Sequence, residues 1–228
     1  MKDNFYNSVN GANHITQELI CKDYLPLVKN NATLLLGRGA IGKTWLGLNV
    51  AIHCAIEGYK VLYWTREEQV GYLKHRINML IEHFYEDKQE FVRQNLYFSD
   101  SKAKISASFL SLLKDVDVLI LDPLIDFCID YAKSGKDKSQ AVELINMVIS
   151  ACQTNSITAL LINSINIDPC RFLDYIKFAY EMMPVAKNDK TYDIYMQREI
   201  VGLNHNSNTK LILTIKPKPS FPELLVET

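Results

Sequence analysis

The stretch LLLGRGAIGKTWLGLNVAIH (Leu34–His53) constrains this chain more than any other. An apolar, β-like run ends at Gly37, a glycine-spaced loop follows, and a long apolar helical pattern begins at Lys43. The loop from Gly37 to Thr44 matches G-x-x-x-x-G-K-[ST]. Glycines let a backbone close around an anion with its N–H groups turned inward. A helix starting at the end of such a loop adds free N–H groups and the positive end of its dipole. The backbone through Gly37, Arg38, Gly39, Ala40, Ile41, Gly42, Lys43, Thr44 and Trp45 is therefore expected to grip the triphosphate of ATP. In this arrangement Lys43 reaches the β- and γ-phosphates and the Thr44 hydroxyl ligates Mg²⁺.

The rest of the chain supplies what such a loop needs around it. Thr33–Leu36, Lys60–Thr65, Leu96–Phe98, Val116–Leu121 and Thr158–Ile162 read as strands. Helical patterns lie between them at Lys43–Ile56 (closed by Gly58), Val70–Tyr85, Ser106–Lys114 and Ser139–Gln153. In Val70–Tyr85 the stripe is Leu73, Ile77, Leu80 and Phe84. A short helix is expected within Ile15–Val28, stopped near Pro26. After Pro184 the rhythm changes, and Asp193–Met196 and Leu211–Ile215 read as strands without helices between them. The expected fold is α/β, a mostly parallel central sheet with helices on both faces and a C-terminal antiparallel extension. At 228 residues and 48% hydrophobic content, one domain over 1–228 is expected. Within it, 1–30 is a lead-in, 31–165 the nucleotide-binding core and 184–228 the C-terminal strands.

Two acidic positions complete the expected chemistry. Asp122 ends the apolar run VDVLILDPL (Val116–Leu124), where its carboxylate can serve the Mg²⁺ shell opposite Thr44. Directly after KVLYWT come Arg66, Glu67 and Glu68. An acid at this strand end can orient and deprotonate a water attacking the γ-phosphate; Glu67 is the first choice and Glu68 the second.

Composition narrows the partners. With 25 basic and 26 acidic residues the net charge is −1, so nucleic-acid binding would need a local basic patch. The five cysteines (Cys21, Cys54, Cys128, Cys152, Cys170) show no zinc spacing and are expected to be reduced thiols. The polar opening MKDNFYNSVNGANHITQ has no apolar signal region, and no membrane-length apolar run appears. A soluble cytoplasmic protein is expected.

The segments LLLGRGAIGKTWLGLNVA, VLYWTREEQVGYLKHRI, VLILDPLIDF and ITALLINSIN together resemble the RecA-like P-loop ATPases. The nearest look is to the RepA-like plasmid replicative helicases, related to the DnaB-type hexameric helicases. The resemblance spans roughly residues 30–165. It puts the catalytic Glu at Glu67, with Lys74 and Arg76 as a basic pair in the helix that follows. It implies a ring of identical subunits, hexameric in such families, with ATP between them and an Arg supplied across the interface. Arg198 in YMQRE is the best-placed residue for that role and Arg171 the alternative. It also implies single-stranded DNA contacts through loops 133–138 (KSGKDK) and 165–171 (INIDPCR), with Lys133, Lys136 and Lys138 tracking phosphates. One departure stands out. Where the family carries a polar sensor with His or Gln, this chain reads Asn163-Ser164-Ile165-Asn166. Asn163 can hydrogen-bond a γ-phosphate but carries no charge.

A helicase-like replication motor is therefore the leading expectation. A nucleotide-switched oligomeric regulator with little turnover is the alternative. A P-loop small-molecule kinase would need an Arg-rich lid, and none is evident after Asp122.

Overall fold

The computed structural model describes residues 18–100, 113–127, 138–164, 176, 178–186, 189–196, 210–216 and 225–227. In chain order the elements are β1 (Leu19–Ile20), β2 (Leu27–Val28), β3 (Ala32–Gly37), α1 (Lys43–Ile56), β4 (Val61–Thr65), α2 (Val70–Phe84), α3 (Gln89–Asn95) and β5 (Leu96–Ser99). They continue with β6 (Val118–Asp122), α4 (Lys138–Asn155), β7 (Thr158–Ser164), β8 (Phe178–Ala186), β9 (Asp189–Met196), β10 (Lys210–Lys216) and β11 (Leu225–Glu227). Nine strands form one sheet in the order β11-β10-β9-β8-β3-β7-β6-β4-β5. The six from β8 to β5 run parallel. β9, β10 and β11 add the antiparallel extension.

The inner strands are near-continuous apolar runs because helices cover both faces. Successive residues still alternate between two separate cores, following the two-residue period of a strand. Leu35, Val61, Tyr63, Val118, Ile120, Leu160 and Ile162 pack with α1, α2 and the β1–β2 hairpin. Leu34, Leu36, Trp64, Leu119, Leu121, Ala159 and Leu161 pack with α4, Leu124 and Phe127. This parity decides which side chain at each strand end faces the loop of α1.

Helix α1 is buried nearly all round, with Leu46 to Ile52, Cys54 and Ala55 all covered. Its end is set by Gly58 at φ +91°, where the Gly58 N–H donates to the Ala55 carbonyl and the Tyr59 N–H to the Cys54 carbonyl. That left-handed cap turns the chain directly into β4.

Several sequence expectations need correcting. The described part of Ile15–Val28 is a two-stranded antiparallel hairpin and not a helix. Pro26 keeps Leu25 out of helical backbone geometry, and the Pro26 carbonyl accepts a 2.6 Å bond from the Tyr180 hydroxyl. On α2 the buried stripe is Leu73, Ile77, Leu80 and Ile81. Phe84 is in phase with it but closes the helix beyond the core, 38% exposed. Strand β8, not expected from the sequence, inserts beside β3; its Glu181 and Pro184 mask the apolar pattern. The expected helix Ser106–Lys114 falls on residues outside the described set, except for Leu113 and Lys114, which are not helical. Cys21, Cys54 and Cys152 are buried free thiols, and Cys128 and Cys170 lie outside the described residues. Among the described residues no helix is long and apolar enough to cross a membrane.

Candidate nucleotide site

The carboxyl ends of β3, β4, β6 and β7 meet at a cleft of about 440 Å³. Gly39, Ala40, Gly42, Lys43, Thr44 and Trp45 line it from the glycine loop. Glu67 and Glu68 come from the end of β4, Arg76 from α2, Asp122 from β6 and Ser164 from β7. Open α/β sheets bind ligands at this edge, in the crevice outside the carboxyl ends of the strands.

The loop has the geometry that its glycines permit. Gly42, the residue capping α1, adopts φ +99°, and Ala40 also takes a left-handed φ of 58°. At Gly37 an added Cβ would sit 3.1 Å from Ile41 Cγ2 and 3.2 Å from the Met182 carbonyl oxygen, so the loop is packed down onto β8. Lys43 donates from Nζ to the Gly37 carbonyl at 3.1 Å and to the Arg38 carbonyl at 2.8 Å. Its ammonium thus spans the loop, and burial lowers its pKa below the usual lysine value. The Arg38 side chain is exposed and does not line the cleft.

Asp122 shares parity with Val118 and Ile120, so its side chain falls on the α1 face. It is 3% exposed. It accepts from the Tyr63 hydroxyl at 2.6 Å, and the Thr44 hydroxyl stands near it. Burial pushes its carboxyl up to about 6, the Tyr63 bond and the nearby Thr44 hydroxyl oppose that, and nearby Glu67 adds to it. The neighbouring hydroxyl and carboxylate form a hard oxygen donor set of the kind that suits Mg²⁺. The cost of keeping Asp122 ionised has a measurable consequence. A carboxyl with a raised folded-state pKa holds its proton more tightly when folded, so stability falls as pH rises from 3.8 to about 6. Asp122→Asn removes that cost. Without Mg²⁺ at about pH 8 the variant is expected to be more stable than the parent by at most about 3 kcal/mol, since each tenfold gain in proton affinity corresponds to about 1.4 kcal/mol. The difference should vanish below about pH 4, as followed by denaturant melts across pH.

The two acids after β4 separate clearly. Glu68 Oε1 pairs with Arg76 Nη2 at 2.9 Å, and the Arg76 guanidinium also lies over the Trp45 ring at 5.0 Å. Glu67 lines the cleft and has no ion pair of its own among the described residues. The Glu67 and Glu68 N–H groups both donate to the Thr65 hydroxyl at 3.3 Å, which fixes the turn carrying them. Of the basic pair, Arg76 lines the cleft whereas Lys74 is exposed on the helix surface.

Asn163 does not take the sensor place expected of it. It has the parity of Ala159 and Leu161, which face α4, and it is fully buried. Its Oδ1 accepts from the Ile125 N–H at 3.2 Å, bracing the turn after β6. Its neighbour Ser164 lines the cleft instead. The strand's two-residue period puts Ser164 on the same face as Ile162, but only the place of β7 between β3 and β6 shows that this face meets the cleft. Arg198, Arg171, loop 165–171 and residues 133–137 lie outside the described residues, while Lys138 opens α4.

Taken together, the sheet, the glycine loop and the Lys43–Thr44–Asp122 cluster define a RecA-like P-loop ATPase. The chain belongs to the AAA domain family, whose model matches residues 12–163. Among solved structures it is similar to a KaiC-like protein of the hyperthermophilic archaeon Pyrococcus horikoshii OT3, with a TM-score of 0.63. That likeness covers 89% of this chain and 91% of the other at 12% identity, a level that speaks to the fold alone. No curated protein matches the chain in sequence.

Proposed function

We propose that this protein is a Mg²⁺-dependent ATPase whose residues 1–228 act as one RecA-like unit. It assembles as a ring, hexameric in the family it resembles, and works on DNA as a helicase-like motor in plasmid or phage replication. The observation that carries the ATPase reading is the convergence of Lys43, Thr44, Asp122 and Glu67 on one cleft. On binding, Lys43 exchanges the Gly37 and Arg38 carbonyls for the β- and γ-phosphate oxygens. Glu67 holds a water in line with the γ-phosphorus and accepts its proton as the new P–O bond forms and ADP leaves. Thr44 and Asp122 are the residues that would hold Mg²⁺, which would supply positive charge against the phosphates. Arg198 of a neighbouring subunit, with Arg171 as the alternative, supplies positive charge to the γ-phosphate. Single-stranded DNA runs along loops 133–138 and 165–171. The helicase step rests on the resemblance of the four sequence segments to RepA-like proteins.

One observation favours a second reading. The sensor position facing the cleft is Ser164, a short neutral hydroxyl, where such motors carry His or Gln. A nucleotide-switched oligomer with slow turnover fits that substitution. The two separate in steady-state hydrolysis with and without single-stranded DNA, combined with solution mass measurements plus or minus a non-hydrolysable ATP analogue. The motor gives a nucleotide-dependent hexamer and hydrolysis stimulated by DNA. The switch gives slow hydrolysis indifferent to DNA.

A further inference from the structure

Tyr63 lies two residues before the end of β4, fully buried, with no access to the cleft. Its ring is held against Phe98, centroids 6.1 Å apart. Its hydroxyl reaches across to β6 and donates to Asp122 Oδ2 at 2.6 Å. On its other side stands α1. An added Cβ at Gly47 would lie 3.1 Å from the Tyr63 hydroxyl and 2.5 Å from Ile162 Cδ1. The helix that carries Lys43 and Thr44 is therefore seated on this phenol, and a side chain at position 47 would push it away.

We propose that Tyr63 is the positioning residue for the cation side of the site, its phenol fixing the Asp122 carboxylate beneath Thr44. The inference rests on the nucleotide reading above. One oxygen of Asp122 is committed to the phenol, so the carboxylate cannot rotate freely and the group presents one orientation to the cleft. Outer partners of this kind set metal affinity without touching the metal. Desolvation and the adjacent Asp122 hold the phenol well above its usual pKa, so it stays a donor throughout the neutral range. The hydroxyl also needs Asp122, because a buried phenol without an acceptor carries a desolvation cost.

The test is affinity for a fluorescent ATP analogue in EDTA and across a Mg²⁺ titration, with unfolding followed in parallel. The parent should bind in EDTA and tighten as Mg²⁺ is added. Tyr63→Phe should bind in EDTA within about two-fold of the parent, while the Mg²⁺ concentration giving half of the tightening rises about ten-fold. Phe98→Leu, which loosens the same ring without removing the hydroxyl, should lower the melting temperature and leave the Mg²⁺ midpoint in place. A Tyr63→Phe titration that overlays the parent overturns the proposal. So does a Phe98→Leu shift as large as that of Tyr63→Phe, since loosened packing would then be the cause. Should Tyr63→Phe not fold, Gly47→Ala decides, because its methyl presses on the same hydroxyl; an unchanged Mg²⁺ midpoint in that variant refutes the idea. A parent that binds no analogue under any condition removes the nucleotide reading itself, and the role of Tyr63 with it.

Discussion

Lys43→Ala is expected to weaken ATP binding by about 100- to 1,000-fold while the protein stays folded. The side chain of Lys43 crosses the glycine loop and ends on two backbone carbonyls, those of Gly37 and Arg38. Those carbonyls compete poorly with phosphate oxygens, because a hydrogen bond between two charged groups contributes about 1.5–3 kcal/mol and one between a charge and a neutral group less. Losing two such contacts, net of the two carbonyl contacts that the lysine gives up on binding, corresponds to about 3–4 kcal/mol, or about 100- to 1,000-fold. Burial already lowers the pKa of this ammonium, so the empty protein gains little from keeping it there. Its melting temperature without nucleotide should therefore not fall on substitution. Calorimetric titration with ATP, beside thermal melts, reads both quantities. Retained micromolar-scale binding by the variant would mean the loop does not hold the phosphates through Lys43.

Glu67→Gln separates binding from chemistry. Glutamine keeps the size and the backbone contacts to the Thr65 hydroxyl but cannot take a proton from water. Removal of a general base costs about 10²–10⁴-fold in rate, so turnover should fall by that much while ATP affinity stays within about three-fold. Glu68→Gln makes the contrast. Glu68 is tied to Arg76 at 2.9 Å, and that ion pair is only partly exposed, so its loss should disturb the Trp45–Arg76 wall of the cleft without removing the base. A turnover loss larger for Glu68→Gln than for Glu67→Gln would reverse the assignment of the two acids.

Much of this architecture could be read in the chain order of residues. The loop from Gly37 to Thr44 specifies its own conformation through its glycines, and α1 begins at Lys43, as the apolar pattern predicts. β4, β6 and β7 announce themselves as apolar runs long enough to cross a sheet but too short for helices. Other parts were not legible. The β1–β2 hairpin looks helical because Ile20, Tyr24 and Leu27 recur at i, i+4 and i+7. Its strands are held by pairing with each other and by Tyr180, 154 residues away. β8 hides behind Glu181 and Pro184 and is held as a strand by pairing with β3 on one side and β9 on the other.

The site divides along the same line. Lys43, Thr44, Asp122 and Glu67 could be named from sequence because each follows its strand or loop at a spacing that the chemistry of phosphate and cation demands. Tyr63 and the exchange of Asn163 for Ser164 could not be named that way, and neither could the ion pair that sets Arg76 on the wall of the cleft. Tyr63 matters only because β4 lies beside β6 in a register that pairs Thr65 with Asp122, and Ser164 faces the cleft only through the parity of a strand wedged between β3 and β6. Local sequence determined the phosphate loop, since its backbone geometry depends on residues next to one another. Tertiary structure decided what stands opposite that loop, because the partners come from strands far apart in the chain, and their side chains are aimed by register and packing rather than by their own neighbours.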